Sequence, residues 1–135
     1  MTISSFDDLL VAARQQPLPQ RLLFVFVAVE LPPDSTPQQR ADFEAGHGGA
    51  LAPLMCVDKS PAELPDFAAL ADEAAQFGQA WTLVFAAALS GSAGLPPTSD
   101  DAQAPLQHMV ESIRQGDLER FIAFNAQGEP LQLTA

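Results

Sequence analysis

The feature that most constrains the fold is an apolar run, LLFVFVAV, at Leu22–Val29. The run is rich in β-branched and aromatic residues, and it shows no alternation of apolar and polar positions. Such a run is typical of a β-strand covered on both faces, because an open face would place a polar residue at every second position. It is far shorter than the ~20 apolar residues that a membrane-spanning helix needs. The chain is therefore expected to build a sheet with helices packed on both sides.

Two further apolar runs predict strands, ALAPLMCVD from Ala50 and WTLVFAAAL from Trp81. Helix-start signals precede or separate the three runs, with Ser4 or Ser5 as the first cap and the pairs Thr36-Pro37 and Ser60-Pro61 as later ones. A fourth helix carries Leu106, Met109, Val110 and Ile113 on one face. The final stretch, FIAFNAQGEPLQL, predicts a hairpin with NAQG as its turn.

The predicted order is α-β-α-β-α-β-α-β-β, and the length suits a single domain over residues 1–135. Alternating helices and strands indicate an α/β fold: a three-layer α/β/α sandwich with a mostly parallel central sheet of about five strands. The C-terminal hairpin is expected to add antiparallel strands at one edge. In a parallel sheet the carboxyl ends of the strands meet at one rim, so any site is expected among the loops 30–35, 58–60 and 90–99.

The excess of acidic residues limits the classes of partner that the chain can bind. Six basic residues face seventeen acidic ones, and the net charge is −11. Affinity for a phosphate backbone depends on Lys and Arg, so this balance argues against nucleic acid and against an anionic membrane surface. One cysteine cannot form an intramolecular disulfide, and the N-terminal MTISSFDD is not typical of a signal peptide. We therefore expect a cytoplasmic protein of bacterial type.

Four polar residues at the predicted strand ends are candidate ligand-binding groups, namely Asp58, Lys59, Ser90 and Ser92. A desolvated Lys59 could act as a nucleophile. The alternative is an ordinary exposed Asp–Lys pair of little energetic weight. The loop SGSAG after the third strand could cradle a phosphate, but it lacks a P-loop ending, and the next helix opens with Asp100 and Asp101, which compete for its positive end.

Cys56 has two interpretations, a small hydrophobe in a core strand that runs into a capped helix, or a reactive thiol. A reactive thiol needs a basic partner, and His47 is the histidine upstream of it. His47 and His108 are distant in sequence, and no His/Cys cluster has metal-ligand spacing, so neither a metal nor another cofactor is expected.

The stretches ISSFDDLL, LMCVDKSPAEL, WTLVFAAALSG and FIAFNAQGEPL resemble a family of small uncharacterised bacterial proteins often labelled "ribonucleotide reductase subunit alpha". The label implies radical reduction of a ribonucleotide, which needs a thiyl-forming cysteine and a reducing cysteine pair. Because Cys56 is the single cysteine, the resemblance transfers no catalytic residue, and we do not expect a reductase catalytic subunit.

Two functions are consistent with these observations. The first is a non-enzymatic protein-interaction or accessory domain, with a homodimer or another protein bound at the edge of the C-terminal hairpin, where FIAF is apolar and LQLT is uncharged. The alternative is a small-molecule-binding protein or modest enzyme with its pocket at the carboxyl ends of the strands.

Overall fold

The computed structural model describes residues 5–30, 34–44, 50–78, 80–92 and 94–131 of the chain. The helices are α1 (Phe6–Arg14), α2 (Pro37–Glu44), α3 (Phe67–Ala75) and α4 (Ser99–Arg114), with a 3-10 turn at Pro61–Glu63. The strands are β1 (Gln20–Glu30), β2 (Ala50–Lys59), β3 (Leu83–Ser90), β4 (Ile122–Asn125) and β5 (Pro130–Leu131). The predicted order of helices and strands is confirmed.

All five strands form one sheet in the order β2-β1-β3-β4-β5, and every neighbouring pair is antiparallel. The prediction of a mostly parallel α/β/α sandwich is therefore wrong, and the chain has a small α+β fold. The prediction failed because a connection that contains a helix can also join neighbouring antiparallel strands. Helix α2 lies in such a connection between β1 and β2, and α4 lies in another between β3 and β4.

Strand β1 is buried on both faces, as its unbroken apolar run predicts. On one face its buried residues are Leu22, Phe24 and Phe26, which belong to the same core cluster as residues of α1 and α3. On the other face they are Leu23, Val25 and Val27, which cluster with residues of α4. Each of these six side chains is almost fully removed from water, which contributes roughly 1.5–3 kcal/mol apiece.

Helix α3 begins later than the sequence pattern predicts. Ser60 and Glu63 do form the expected capping box, but it caps only the 3-10 turn. Leu64 is extended because Pro65 follows it, and a residue before proline is disfavoured in helical conformation. Asp66 then caps α3 separately, with its side chain accepting the Ala69 amide hydrogen at 2.9 Å.

Helix α1 packs through Phe6 against an aromatic cluster whose members are distant in sequence. The ring of Phe6 lies 5.6 Å from Phe24, 5.0 Å from Phe67 and 5.1 Å from Phe124, measured between centroids. The Phe6 amide also donates a hydrogen bond of 2.9 Å to the carbonyl oxygen of Gly128, in the turn between β4 and β5. The first helix therefore packs against the last hairpin.

The predicted C-terminal hairpin is present, with β4 and β5 antiparallel and the turn at Asn125–Gly128. The Asn125 side chain accepts hydrogen bonds from the amides of Gln127 and Glu129, which stabilises this turn. Among the helices that the structure describes, none combines the length and the apolar character needed to cross a bilayer.

Candidate functional site

The antiparallel sheet separates the loops that the sequence placed at one rim. Residue Leu22 lies opposite Lys59, and Gln20 lies opposite Ser90, so the carboxyl ends of β2 and β3 flank the start of β1. Strand β1 ends at Glu30, at the other end of the sheet. The prediction of a common rim is therefore wrong for loop 30–35, and it holds only for loops 58–60 and 90–99.

A polar cluster at this shared end joins three elements, and we call Arg21, Asp58 and Ser99 the Arg21 clamp. Oδ2 of Asp58 accepts hydrogen bonds from Nε of Arg21 and from Oγ of Ser99, both at 2.6 Å. Nη2 of Arg21 lies 2.6 Å from the same oxygen and donates to Oγ of Ser99 at 2.8 Å. The Arg21 and Asp58 side chains are only 14% and 15% exposed. The clamp thus connects the start of β1, the end of β2 and the start of α4.

The clamp favours the ionised form of the Asp58 carboxyl group. Partial burial raises the pKa of Asp58, but the hydrogen bonds from Ser99 and Arg21 and the guanidinium charge outweigh burial and leave the pKa below its ordinary value. Glu63 lies 3.9 Å from Nη1 of Arg21. Hydrogen bonds from the backbone and side chain of Ser60 lower the pKa of Glu63, and the charges of Arg21 and Lys59 lower it further.

Lys59 does not join Asp58. Directly opposite residues of an antiparallel pair share a face, so Asp58 shares the face of Leu23, towards α4, whereas Lys59 shares the face of Leu22, towards α1 and α3. The Lys59 ammonium lies 3.0 Å from Oε2 of Glu73 on α3. The structure therefore brings Asp58 and Lys59 to opposite faces of the sheet, each with a partner on a different helix.

Ser90 and Ser92 have partners within the chain as well. Oγ of Ser90 accepts a hydrogen bond of 3.0 Å from the Gln20 side chain. Ser92 and Leu95 exchange backbone hydrogen bonds of 3.2 and 2.9 Å, and the Gly91 amide donates to the Pro19 carbonyl at 2.8 Å. The amides of Gly91 and Ser92 are thus used inside the loop rather than presented to a phosphate. Binding of a ligand by Asp58, Lys59, Ser90 and Ser92 stays a prediction.

The interpretation of Cys56 as part of a core strand is wrong. Strand β2 lies at the edge of the sheet, and Cys56 is exposed on the face shared with Val25. Desolvation by the atoms packed around it raises the pKa of the Cys56 thiol, which opposes thiolate formation. The postulated partner His47 lies outside the described residues. Within the described part of the chain, no group of three His, Cys, Asp or Glu side chains is placed to hold a metal ion.

The sequence pattern singled out neither Arg21 nor Ser99. The signal that would have found them is register, because Arg21 meets Asp58 only if β1 and β2 run antiparallel with this alignment. Comparison of the chain with protein-family models, with curated proteins and with solved structures gives no match in any of the three.

The longest free edge of the sheet belongs to β2. This strand has ten residues, and β1 is its neighbour on one side, while no strand of the described residues pairs with its other side. At the opposite end of the sheet the edge strand β5 has two residues. We call the unpaired side of β2 the β2 edge.

Proposed function

We propose that the chain is a non-enzymatic, cytoplasmic protein-interaction domain that pairs with a partner strand along the β2 edge. The observation that carries this proposal is the position of β2, a ten-residue strand at the end of the sheet order. An edge strand presents unpaired amide and carbonyl groups, and an incoming extended segment forms backbone hydrogen bonds with them.

The residues of β2 favour such pairing. Proteins commonly protect an edge strand with charged side chains, above all lysine. From Ala50 to Val57 the strand carries no charge. Its two charged residues stand at the carboxyl end, where Asp58 is held by Arg21 and Lys59 pairs with Glu73. The charges of the strand are therefore balanced within the chain, and a partner strand meets an uncharged edge.

The strand is also held in position before any partner arrives. Strand β2 pairs with β1 from Leu22 to Glu30, and α4 packs against it. A rigid edge loses little conformational entropy on binding, and this preorganisation favours affinity. The Arg21 clamp adds to it by fixing the end of β2 to α4.

The proposed interaction surface is the β2 edge, not the edge of the C-terminal hairpin that the sequence predicts. The FIAF segment was expected at an edge, but β4 lies between β3 and β5, and Phe124 is completely buried. Of the LQLT segment, only Leu131 belongs to the described residues. The prediction of a hairpin edge is thus replaced by the β2 edge.

A non-enzymatic role is supported by the way the polar groups at the strand ends are used. Asp58, Arg21 and Ser99 satisfy one another, and Ser90 bonds Gln20. The cytoplasm is supported by the single cysteine, which gives no sign of an oxidising compartment.

The test places a charge beside the edge. In Cys56→Lys an ammonium group stands within the uncharged run, next to its last residue Val57, at an exposed position. The matched control is Val11→Lys, which adds the same charge at a position on α1 that is 42% exposed. Light scattering at several concentrations, together with analysis of co-purifying proteins, compares both variants with the unmodified chain.

We expect association in the unmodified chain and in Val11→Lys, and its loss in Cys56→Lys. A protein that is strictly monomeric and carries no partner contradicts the proposal. So does an association that both lysine variants retain equally.

A further inference from the structure

We infer that the β2 edge receives an extended segment of a different protein, in which an uncharged run of about eight residues lies between basic residues at both ends. This inference rests on the proposed function, and it goes further by naming the chemistry of the partner. It is carried by the distribution of charge along β2, which is uncharged in its middle and lies between acidic groups at both ends.

The middle of β2 favours an uncharged partner. The strand carries no charge from Ala50 to Val57, and the side chains of Leu51, Leu54 and Met55 are only partly buried. A residue opposite one of them on a partner strand would have its Cβ about 5 Å away, so an apolar side chain there covers the part that is still exposed. A charged side chain at the same place would be desolvated without a counter-charge in the run.

The amino end of β2 lies beside an excess of carboxylates. Glu30 is exposed and lies directly opposite Ala50 on the neighbouring strand. The described part of the connection between these two residues adds three exposed acidic residues and one exposed basic residue, namely Asp34, Asp42, Glu44 and Arg40. Helix α4 begins at the carboxyl end of β2 and packs against the strand, and its last turn adds Glu111 and Arg114, whose charges cancel. A basic residue of a partner is therefore attracted to this end.

The carboxyl end of β2 is acidic as well. The cations that lie near it in the described part of the chain are each bonded within the chain, and they are Arg14, Arg21 and Lys59. The carboxylates around them are more numerous, namely Asp58, Glu63, Glu73, Asp100 and Asp101. The Glu63 side chain is 52% exposed and lies 3.9 Å from Arg21, so it can accept a further cation. A partner with basic residues about nine positions apart would meet both acidic ends, roughly 30 Å from one another.

Charge also distinguishes this partner from a second copy of the chain. A second β2 brings the same acidic surroundings to the edge, and each chain carries −11, so two copies repel one another. A segment with basic ends is attracted instead. Its affinity is expected to fall as salt is added, because salt screens the attraction between exposed charges.

The experiment uses three synthetic peptides with blocked termini as probes. The first, KKTVTVTVTVKK, has the proposed pattern, and the second, EETVTVTVTVEE, reverses its charges. The third, KKTVPVPVTVKK, keeps the charges, but its prolines remove amide hydrogens that strand pairing needs. Titration of isotope-labelled protein, followed by the NMR signals of its backbone amides at low and high salt, measures each Kd and shows which amides contact the peptide.

Three glutamine variants of the protein locate the charges that attract the peptide. Glu30→Gln and Glu63→Gln each remove one carboxylate at one end of β2. Glu129→Gln is the matched control, because Glu129 is exposed in the turn before β5, at the opposite edge of the sheet. Glutamine keeps a side-chain oxygen, so the hydrogen bond that residue 63 accepts from the Ser60 amide can persist.

We expect the first peptide to bind with shifts of the β2 amides, the other two to bind at least tenfold more weakly, and added salt to weaken binding. Glu30→Gln and Glu63→Gln should each weaken binding by about two- to fivefold, whereas Glu129→Gln should leave it unchanged. Failure of the first peptide to bind overturns the inference. So does an equal effect of all three glutamine variants.

The remaining outcomes separate this inference from the proposed function. If the acidic peptide binds as well as the basic one and Cys56→Lys releases both, the inference is wrong and pairing along the β2 edge stands. If the β2 amides shift with protein concentration in the absence of peptide, a second copy occupies the edge, and again the inference alone is wrong. If the proline peptide binds as well as the first, attraction occurs without strand pairing, and the proposed function fails together with the inference.

Discussion

Replacing Asp58 by alanine tests whether the Arg21 clamp holds the fold together. The substitution removes the carboxylate whose Oδ2 accepts hydrogen bonds from Nε of Arg21 and Oγ of Ser99 and lies 2.6 Å from Nη2 of Arg21. Hydrogen bonds to a charged group contribute about 1.5–3 kcal/mol, and breaking a fully buried ion pair costs about 3–5 kcal/mol. Solvent reaches about one-seventh of each side chain, and Glu63 at 3.9 Å offers Arg21 a weak substitute. We therefore expect a loss of about 2–3 kcal/mol in the free energy of unfolding at pH 7.

Urea denaturation followed by the fluorescence of Trp81 measures this loss. Trp81 is the single tryptophan, and its ring packs edge-on against Phe26 at 4.9 Å, so its emission reports on the core. A double-mutant cycle with Arg21→Met isolates the pair, and the coupling free energy is expected to exceed about 1 kcal/mol. A loss below about 0.5 kcal/mol, or a coupling indistinguishable from zero, is what an exposed pair gives and would refute this reasoning.

The pH dependence of the same pair of proteins supplies an independent check. The pKa of Asp58 is lower in the folded chain than its ordinary value. The contribution of the clamp is therefore complete above the ordinary carboxyl pKa of about 4, and it is lost as the pH falls through the folded pKa. The stability difference between the unmodified chain and Asp58→Ala should shrink below about pH 4. A difference that keeps its full size at lower pH would show that the carboxylate charge is not what stabilises the site.

Two smaller predictions test other parts of the structure by the same denaturation assay. Lys59→Ala removes only a partly exposed ion pair with Glu73, so it should cost no more than about 1 kcal/mol, and a cost near that of Asp58→Ala would contradict its placement. Gly128→Ala should cost about 1–2 kcal/mol more than Gly78→Ala. Both glycines have a positive φ, but a Cβ at Gly128 would lie 3.0 Å from the Phe67 ring, whereas Gly78 has open space around it. Equal costs would show that the ring moves aside freely.

The strands could be predicted from the sequence because a strand buried on both faces consists of apolar residues. An unbroken apolar run such as LLFVFVAV can only be hidden by layers on both sides, and β1 has them. Residue type does not indicate whether neighbouring strands run parallel or antiparallel. The side chains of β1 meet the same two layers whether β2 runs with it or against it, so hydrophobic pattern alone could not select an antiparallel sheet.

The candidate site was predicted only in part for the same reason. Asp58 was singled out as a polar residue at the predicted carboxyl end of a strand. That partner proved to be Arg21, which is distant in sequence and is brought near by the register of β1 and β2. Pro65 was a local signal that the pattern analysis overlooked, and it accounts for the late start of α3.

The packing of α1 against the β4–β5 hairpin affects how the chain folds during its synthesis. Phe6 is synthesised before Phe124 and Gly128, yet its ring packs against Phe124 and its amide is bonded to the Gly128 carbonyl, more than a hundred residues downstream. Helix α1 cannot finish docking until Phe124 and Gly128 have emerged from the ribosome. Contacts between residues so far apart in sequence slow folding, because the intervening chain must be ordered before the contact forms. Until Phe124 has emerged, the Phe6 ring of the nascent chain therefore lacks one of the three aromatic contacts that it makes in the folded protein.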